Sequence, residues 1–235
     1  MTAEKTDGKI EKQGIIVPNS YGPYNKINET EQWIRISEGC PNQCPFCYEP
    51  REEKVFPIPE IVRNHVKEMS MNLLSKPGAF EIIEELGKKR AGGKVVYYEL
   101  VCGIDWRHLT SEFAEVLKQN RFGRMRLAWD FGYDQQFKIK KALEVLFKAG
   151  YKNKETTLFM IGNWETTYAE NLKKLELCKI WRVKVADCWF DGQTSPNIKP
   201  LGWTAEQIKD FRARVRKHNQ LVLFGIDPEL KVHKR

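Results

Sequence analysis

The stretch QWIRISEGCPNQCPFCYEP, residues 32–50, joins a short apolar run to a loop that contains three cysteines. The run QWIRIS predicts a β-strand. The loop that follows it holds Cys40, Cys44 and Cys47, with three residues in the first gap and two in the second. No fourth cysteine stands at a matching spacing. The sequence therefore places three thiols directly after the first predicted strand.

Short apolar runs recur along the rest of the chain and alternate with helical patterns, which is the signature of repeated strand–helix units. The predicted fold class is α/β with six parallel strands. Such units form either a barrel or an open doubly wound sheet, and the pattern alone leaves both open. In both arrangements, functional residues gather at the carboxyl ends of the strands. The predicted strands cover residues 32–37, 94–101, 124–130, 156–162, 182–190 and 221–226.

Helices are predicted between these strands from apolar spacing and capping residues. KIKKALEVLFKAG (138–150) has apolar residues at helical spacing and ends at a glycine that suits a C-cap. TSEFAEVLKQN begins with Thr110 or Ser111 as N-cap, and TAEQIKDFRARVRKH begins in the same way at Thr204. Residues 57–90 are predicted to form two helices that are interrupted at SKPG.

Length and composition suggest the domain organisation. A chain of 235 residues with 41% hydrophobic content can bury one sizeable core. We expect an N-terminal arm over residues 1–30 and a core domain over residues 31–235, with a helical excursion at residues 51–93. The start MTAEKTDGKIEKQG lacks the apolar run of a signal peptide, and no segment has the apolar length of a membrane span. The sequence thus predicts a cytoplasmic protein with no membrane partner, whose cysteines are thiols, metal ligands or core residues.

Two kinds of inorganic centre are compatible with three close thiols. Zinc prefers four tetrahedral ligands, commonly in two separated pairs, so it would need a fourth ligand such as His65 or Cys102. A four-iron four-sulfur cluster is normally held by four thiolates, and three leave one iron open to another molecule. Three unrelated core cysteines are the remaining alternative, but Gly39, Pro41 and Pro45 bend the backbone around the thiols. The spacing favours the cluster.

The pattern Cys-x-x-x-Cys-x-aromatic-Cys, read as Cys40, Cys44, Phe46 and Cys47, resembles the signature of radical S-adenosylmethionine (radical SAM) enzymes. The resemblance implies a partial (β/α)6 TIM-like barrel. It also implies a 4Fe-4S cluster on the three cysteines, with S-adenosylmethionine chelated at the open iron. In that family the reduced, oxygen-sensitive cluster cleaves S-adenosylmethionine to a 5'-deoxyadenosyl radical, which removes a hydrogen atom from the substrate. The implied partner is a one-electron donor such as a flavodoxin or ferredoxin.

The resemblance also assigns residues to the S-adenosylmethionine site. Cys102-Gly103-Ile104-Asp105 stands where the family often ends its second strand in Gly-Gly-Glu, so Asp105 is expected to receive the methionine ammonium. MIGNWE (160–165) resembles the family's stretch near adenine, although it lies on the fourth predicted strand and the family has it on the fifth. Helix capping by Asp105 or Glu165, and a core position for Phe46, are the structural alternatives. The candidate cofactor-binding residues are Phe46, Tyr48, Cys102, Gly103, Asp105, Asp130, Gly162, Asn163 and Glu165.

The other three cysteines lie on different predicted elements with no close spacing. They are Cys102, Cys178 and Cys188. This arrangement favours buried core thiols over a second cluster. Cys102 differs from the other two because it stands at a strand end that faces the predicted site.

The net charge of +8 suits an anionic partner, because lysine and arginine attract phosphate. The basic runs lie beside predicted helices, where charge opposite an apolar stripe is usually the solvated face. The sequence therefore predicts an anionic substrate, a nucleotide or nucleic acid. A glycyl-radical-enzyme activase or peptide modifier is an alternative enzyme. A non-enzymatic iron–sulfur protein for electron transfer or sensing is the alternative outside enzymes.

Overall fold

The computed structural model contains a parallel sheet that extends through most of the described chain. The described residues are 5–6, 9–12, 15–42, 44–164, 166–190 and 202–226, and for residues 5–18 only the backbone is described. The main parallel strands in this part of the chain are β1 (Gln32–Arg35), β2 (His65–Glu68), β3 (Tyr97–Leu100), β4 (Arg126–Ala128), β5 (Thr157–Ile161) and β6 (Lys184–Cys188). A two-residue strand just before β4, Phe122–Gly123, also pairs parallel with β3.

These strands lie side by side in the order of the chain. β1, β2 and β3 form one parallel ladder, and β4, β5 and β6 form another. The two ladders meet where Ile104 bridges to Leu127, and the Ile104 N–H donates to the carbonyl of Arg126 at 2.8 Å. A doubly wound sheet reverses its strand order at a switch point, and the described strands show no such reversal. The predicted α/β class with a parallel sheet is therefore confirmed.

Each strand from β2 to β6 is followed by one α-helix, whereas the connection from β1 to β2 contains the cysteine loop. The predicted N-caps are observed: Thr110 accepts a hydrogen bond from the N–H of Phe113, and Thr204 forms a capping box with Gln207. The helices are α1 (Ala79–Lys88), α2 (Ser111–Gln119), α3 (Gln136–Lys148), α4 (Tyr168–Trp181) and α5 (Ala205–Phe224).

The two faces of the sheet differ in burial. Side chains along β5 alternate between buried and half-buried, as expected for a strand with one covered face. Leu127, Leu158 and Val185 lie in register on the covered face and belong to one core with the apolar residues of the helices. The opposite face, which we call the open face, carries Lys67, Glu99, Arg126, Phe159 and Lys184.

Shorter elements complete the fold. Tyr24–Ile27, within the predicted N-terminal arm, pairs antiparallel with β1 at the edge of the sheet. No helix in the described part of the chain has the length and apolar character needed to cross a bilayer. The remaining short strands are Lys5–Thr6, Lys9–Lys12, Ile15–Pro18, Ser37–Glu38, Lys54–Val55, Arg90–Ala91, Lys94–Val95 and Phe122–Gly123, and the 3-10 helices are Leu73–Ser75, Tyr133–Gln135 and Asn153–Glu155.

The prediction of two helices over residues 57–90 is wrong in its first half. β2 occupies part of this segment, and only α1 is an α-helix there. The sequence HVKE of β2 has one apolar residue, Val66, so it carries little local strand signal. The strand is instead fixed by its pairing with β1 on one side and β3 on the other, which is a tertiary effect. The helical excursion predicted at residues 51–93 therefore contains a central strand.

The predicted sixth strand at residues 221–226 is also wrong. These residues continue α5 to Phe224, and the helix ends at Gly225 in the left-handed conformation. Short apolar runs cannot be assigned to strand or helix from their pattern alone. Because β2 was missed, the run at residues 94–101 contains the third parallel strand, where the sequence predicted the second. The run at residues 156–162 contains the fifth, as the resemblance to radical SAM enzymes requires.

Candidate cofactor site at the carboxyl ends of the strands

The cysteine loop is closed at its base by Gly39. Its φ of 83° is in the left-handed region, and a Cβ there would lie 2.1 Å from the carbonyl oxygen of Glu52. The Gly39 N–H donates to Oε1 of Glu49 at 2.8 Å, and its carbonyl accepts from the buried ammonium of Lys76. The Cys40 N–H donates to a carbonyl at the other end of the loop, that of Pro50, at 3.0 Å. The start and the end of the loop are thus held together.

The three thiols of this loop form no disulfide. Cys40 is buried, and Cys44 and Cys47 are half-buried. Burial raises the pKa of Cys44, although Arg107 acts in the opposite direction by charge and by a hydrogen bond to the thiol. Burial also raises the pKa of Cys47 to about 12, and Cys44 and Cys40 contribute as neighbouring negative charges. The neutral thiols favoured here become thiolates when a metal centre binds them.

The donor set fits a cluster better than a single ion. Among the described residues, no three His, Cys, Asp or Glu side chains converge on a position for one metal ion. A four-iron cluster gives each thiolate its own iron, so its ligands need not converge in this way. His65, one alternative zinc ligand, stacks on Tyr97 at a ring distance of 5.8 Å, at the start of β2. His65 therefore lies at the amino end of β2, whereas the cysteine loop lies at the carboxyl ends of the strands.

Asp105 ties the cysteine loop to the end of β3. Its carboxylate accepts from Nδ2 of Asn42 at 2.6 Å and from the guanidinium of Arg107, with Nε at 2.9 Å from Oδ1. Asn72 joins the same network: its side chain donates to Sγ of Cys40 at 3.7 Å and accepts from the Asp105 N–H at 3.3 Å. Asn72 follows β2, the true second strand, and the sequence analysis did not identify it. No local signal marks it, because its partners are distant in sequence.

Asp130, just beyond β4, has a different environment. Burial raises its pKa to about 7, Lys174 and Arg107 lower it, and Asp105 adds to the increase. No hydrogen bond or ion pair among the described residues uses its carboxylate. Lys174 is fully buried, and its Nζ donates to the carbonyls of Trp129 at 2.8 Å and Phe131 at 2.9 Å, on either side of Asp130. This helix lysine, which the sequence analysis also missed, therefore fixes the turn that presents Asp130.

Aromatic residues from several strand ends meet at Phe46. Its ring is 5.6 Å from that of Phe131 after β4 and 5.7 Å from that of Trp164 after β5. Trp164 in turn contacts Phe190 after β6, at 4.9 Å. Phe46 is half-buried, so part of its ring stays accessible beside the thiols. Tyr48 is exposed, and its carbonyl accepts from the hydroxyl of Tyr21 at 3.0 Å.

The end of β5 packs tightly against the end of β6. A Cβ on Gly162 would lie 2.7 Å from the ring of Trp189, so a glycine allows this close contact. The side-chain amide of Asn163 makes two hydrogen bonds to Phe190: it donates to the carbonyl at 2.7 Å and accepts from the N–H at 2.8 Å. Asn163 therefore links two strand ends. Glu165, the remaining candidate of this stretch, lies outside the described residues.

The other cysteines divide into two groups. Cys178 is buried in α4, as expected for a core thiol. Cys102 and Cys188 are half-buried at the ends of β3 and β6, and burial raises their pKa values to about 12 and about 11. The thiol of Cys102 donates to the carbonyl of Met69 at 3.1 Å. Gly103, with φ 79°, allows the chain after Cys102 to pass close to the ring of Phe159, where a Cβ would lie at 3.1 Å.

Comparisons with known proteins identify the fold. No family model matches the chain, and no curated protein matches it by sequence. Among solved structures, coproporphyrinogen III oxidase (HemN) from Escherichia coli, a radical SAM enzyme, matches with a TM-score of 0.51 and 12% identity over 68% of this chain and 41% of that one. The radical S-adenosylmethionine methyltransferase TsrM from Kitasatospora setae, solved with cobalamin and a [4Fe-4S] cluster, matches with a TM-score of 0.55 and 10% identity. That match covers 67% of this chain and 34% of TsrM, so the chain spans less than half of either neighbour.

Proposed function

We propose that this chain is a radical SAM enzyme whose Cys40, Cys44 and Cys47 bind a 4Fe-4S cluster. The observation that carries the proposal is the set of three cysteines in one loop after β1, none of them in a disulfide, beside the carboxyl ends of a parallel sheet. Two solved radical SAM enzymes share this fold. The spacing of the cysteines comes from the sequence and the fold similarity from the backbone, so the two supports are independent.

We also propose that the sheet curves into a partial (β/α)6 barrel. Two features support this geometry: the strands follow the order of the chain, and the helices bury their apolar residues against one face. Repeated units that all turn in the same sense leave the helices outside and the opposite face inside. The open face would then be the inner wall, next to the cysteine loop.

The residues at the strand ends have separate roles in this proposal. When bound, a cluster with one open iron supplies an electron to S-adenosylmethionine. Asp130 would bind a positively charged part of that molecule, because its carboxylate has no hydrogen bond or ion pair among the described residues. Asp105 is less suited to receive the ammonium, since Asn42 and Arg107 occupy it. We assign Asp105 to holding the cysteine loop, and we place Phe46 beside the adenine.

The proposal includes partners and a location. A one-electron donor such as a flavodoxin or ferredoxin would reduce the cluster, and the cytoplasm would supply both that donor and a reducing environment. Hydrogen-atom chemistry on a defined substrate would distinguish this chain from an iron–sulfur protein for electron transfer or sensing. Such a protein has no need of an open iron, and four protein ligands would normally hold its cluster.

The test is anaerobic reconstitution with iron and sulfide, followed by reduction in the presence of S-adenosylmethionine and a search for 5'-deoxyadenosine. We expect about four irons per chain and formation of 5'-deoxyadenosine. The Cys40→Ala, Cys44→Ala and Cys47→Ala variants should lose both. Cys178→Ala, which alters a core thiol in α4, is the matched control and should retain both.

Two outcomes would contradict the proposal. Full iron content in the loop variants would show that the cluster is bound elsewhere. Iron bound through the loop without any 5'-deoxyadenosine would favour the electron-transfer or sensor alternative.

A further inference from the structure

A row of side chains, all charged except Thr157, crosses the open face. Lys67 of β2 and Glu99 of β3 pair in register, and Lys67 Nζ lies 2.9 Å from the Glu99 carboxylate. On the other side of Glu99, Arg126 of β4 forms an ion pair with the same carboxylate. Arg126 is in register with Thr157 of β5, which is in register with Lys184 of β6. The row thus spans five neighbouring strands.

The cations in and beside this row outnumber the carboxylates. Besides Lys67 and Arg126, Arg124 approaches Glu99 to 3.6 Å. Burial would raise the pKa of Glu99, but these cations lower it overall, so the carboxylate is charged. The nearest second carboxylate, Glu31, lies 3.9 Å from Lys67 and accepts from the indole of Trp33. Once Lys184 is included, four cations face Glu99, Glu31 and the more distant Glu155, which also lies 3.9 Å from Lys118.

Lys184 is the clearest sign that positive charge remains uncompensated. It is half-buried, and no hydrogen bond or ion pair among the described residues reaches its ammonium. Burial and repulsion from Arg124 and Arg126 lower its pKa, and the charges of Glu99 and Glu155 offset this decrease only in part. Arg124 itself has a φ of 51°, in a left-handed region that non-glycine residues seldom occupy, and such conformations cluster at functional sites. An anion bound between these cations would stabilise the arrangement.

A cavity of about 410 Å³ lies beside the row. Besides Lys67, Arg124 and Glu99, its lining includes Arg121 and a flat pair formed by His65 and Tyr97. The two rings are stacked within 21°, and Tyr97 is 49% exposed. An exposed aromatic face next to guanidinium groups suits a molecule that has a flat ring and a phosphate, because the ring can stack while the cations bind the phosphate.

We propose that this cavity binds a nucleotide-like substrate, with the flat ring against Tyr97 and the phosphate at the cations. The assignment of the ligand as a substrate rests on the proposed function, whereas the anion site itself does not. His65 and Tyr97 lie at the amino ends of β2 and β3, and Arg124 lines the same cavity, so the ring and the phosphate of one ligand have contacts there. The sequence-based prediction of an anionic substrate thereby gains a defined position.

The test measures binding to the anaerobically reconstituted protein by isothermal titration calorimetry with S-adenosylmethionine saturating, so that its own site is filled. The probes are UMP and GMP, their uncharged counterparts uridine and guanosine, and inorganic phosphate. At least one nucleotide should bind at least ~10-fold more tightly than its nucleoside, and its affinity should fall as salt rises. Lys184→Gln and Arg124→Gln should each weaken it by ~10-fold or more. Lys140→Gln, an exposed lysine of α3, is the control and should change nothing.

Three results would overturn the proposal. The first is equal affinity for nucleotide and nucleoside. The second is binding that Arg124→Gln leaves unchanged; this side chain is 72% exposed, so its replacement does not threaten folding. The third is a dimer in sedimentation that Arg124→Gln dissociates, because the face would then be covered by a second copy. Iron content, measured on every variant, separates this failure from that of the cluster proposal, which depends on Cys40, Cys44 and Cys47.

Discussion

Replacement of Gly39 by alanine tests whether the cysteine loop needs the close contact between Gly39 and the backbone of Glu52 and Glu53. The added Cβ would lie 2.1 Å from the carbonyl oxygen of Glu52 and 2.7 Å from Cα of Glu53, which are backbone atoms that cannot rotate away. The left-handed backbone costs an alanine ~1–2 kcal/mol, and overpacking adds ~1–3 kcal/mol. We expect a total loss of roughly 2–5 kcal/mol, concentrated next to Cys40.

The matched control is Gly93→Ala, in the hairpin before β3. Gly93 has a similar φ of 78°, but no atom of the described residues lies within 4 Å of the position that an added Cβ would take, so only the backbone cost applies. Iron content after anaerobic reconstitution and the midpoint of thermal unfolding are measured for both variants. Gly39→Ala should bind less than half the iron of Gly93→Ala and unfold at a lower temperature. Equal iron content would refute the argument that this contact shapes the loop.

Three further substitutions test other parts of the structure. Glu68 is buried with Oε2 unpaired, and burial raises its pKa from 4.5 to about 7. The protonated carboxyl therefore stabilises the fold fully below pH 4.5, and the free energy of unfolding falls by on the order of 3 kcal/mol as the pH rises through 7. Glu68→Gln should remove this pH dependence of the free energy of unfolding, measured with urea between pH 5 and 8. Lys174→Met leaves two carbonyls without their donor and should cost about 2–6 kcal/mol in the same assay, whereas Lys179→Met, which loses a surface pair with Glu176, should cost under ~1 kcal/mol. Gly162→Ala forces the ring of Trp189 to move and should lower stability by ~1–3 kcal/mol with a change in tryptophan fluorescence. Gly202→Ala should do neither, because no atom of the described residues lies within 4 Å of the position of its added Cβ.

The parts of the fold that the sequence predicts correctly carry local signals. Thr110 and Thr204 mark helix starts through hydrogen bonds to residues three positions away, so a short window contains the evidence. β2 carries no such signal, because its residues form a strand only through their neighbours on both sides. The same applies to the end of α5, where an apolar run is compatible with either kind of element. Missing β2 shifted the number of every later strand by one.

The residues of the candidate site also divide into those that a local sequence pattern reveals and those that it does not. The three cysteines lie within eight residues of one another, and their spacing alone predicts a metal centre. Asn72 and Lys174 reach the site from elements distant in sequence, and a lysine in a helix normally indicates a solvated face. Only the structure reveals that Lys174 is fully buried and bonded to the backbone around Asp130. Whether Asp105, Gly162 and Asn163 contact a cofactor stays a prediction.

The chain order of the strands affects the sequence of events during synthesis. The cysteine loop leaves the ribosome with β1. Trp164 and Phe190, which complete the group of aromatic rings around Phe46, follow on the order of a hundred residues later. At ~5–20 residues per second, this interval lasts about 5 to 20 s. During that time the thiols have no cover from the later strands. If the loop binds the proposed cluster, delivery of iron and sulfide to the nascent chain would compete with oxidation of the thiols within the same interval.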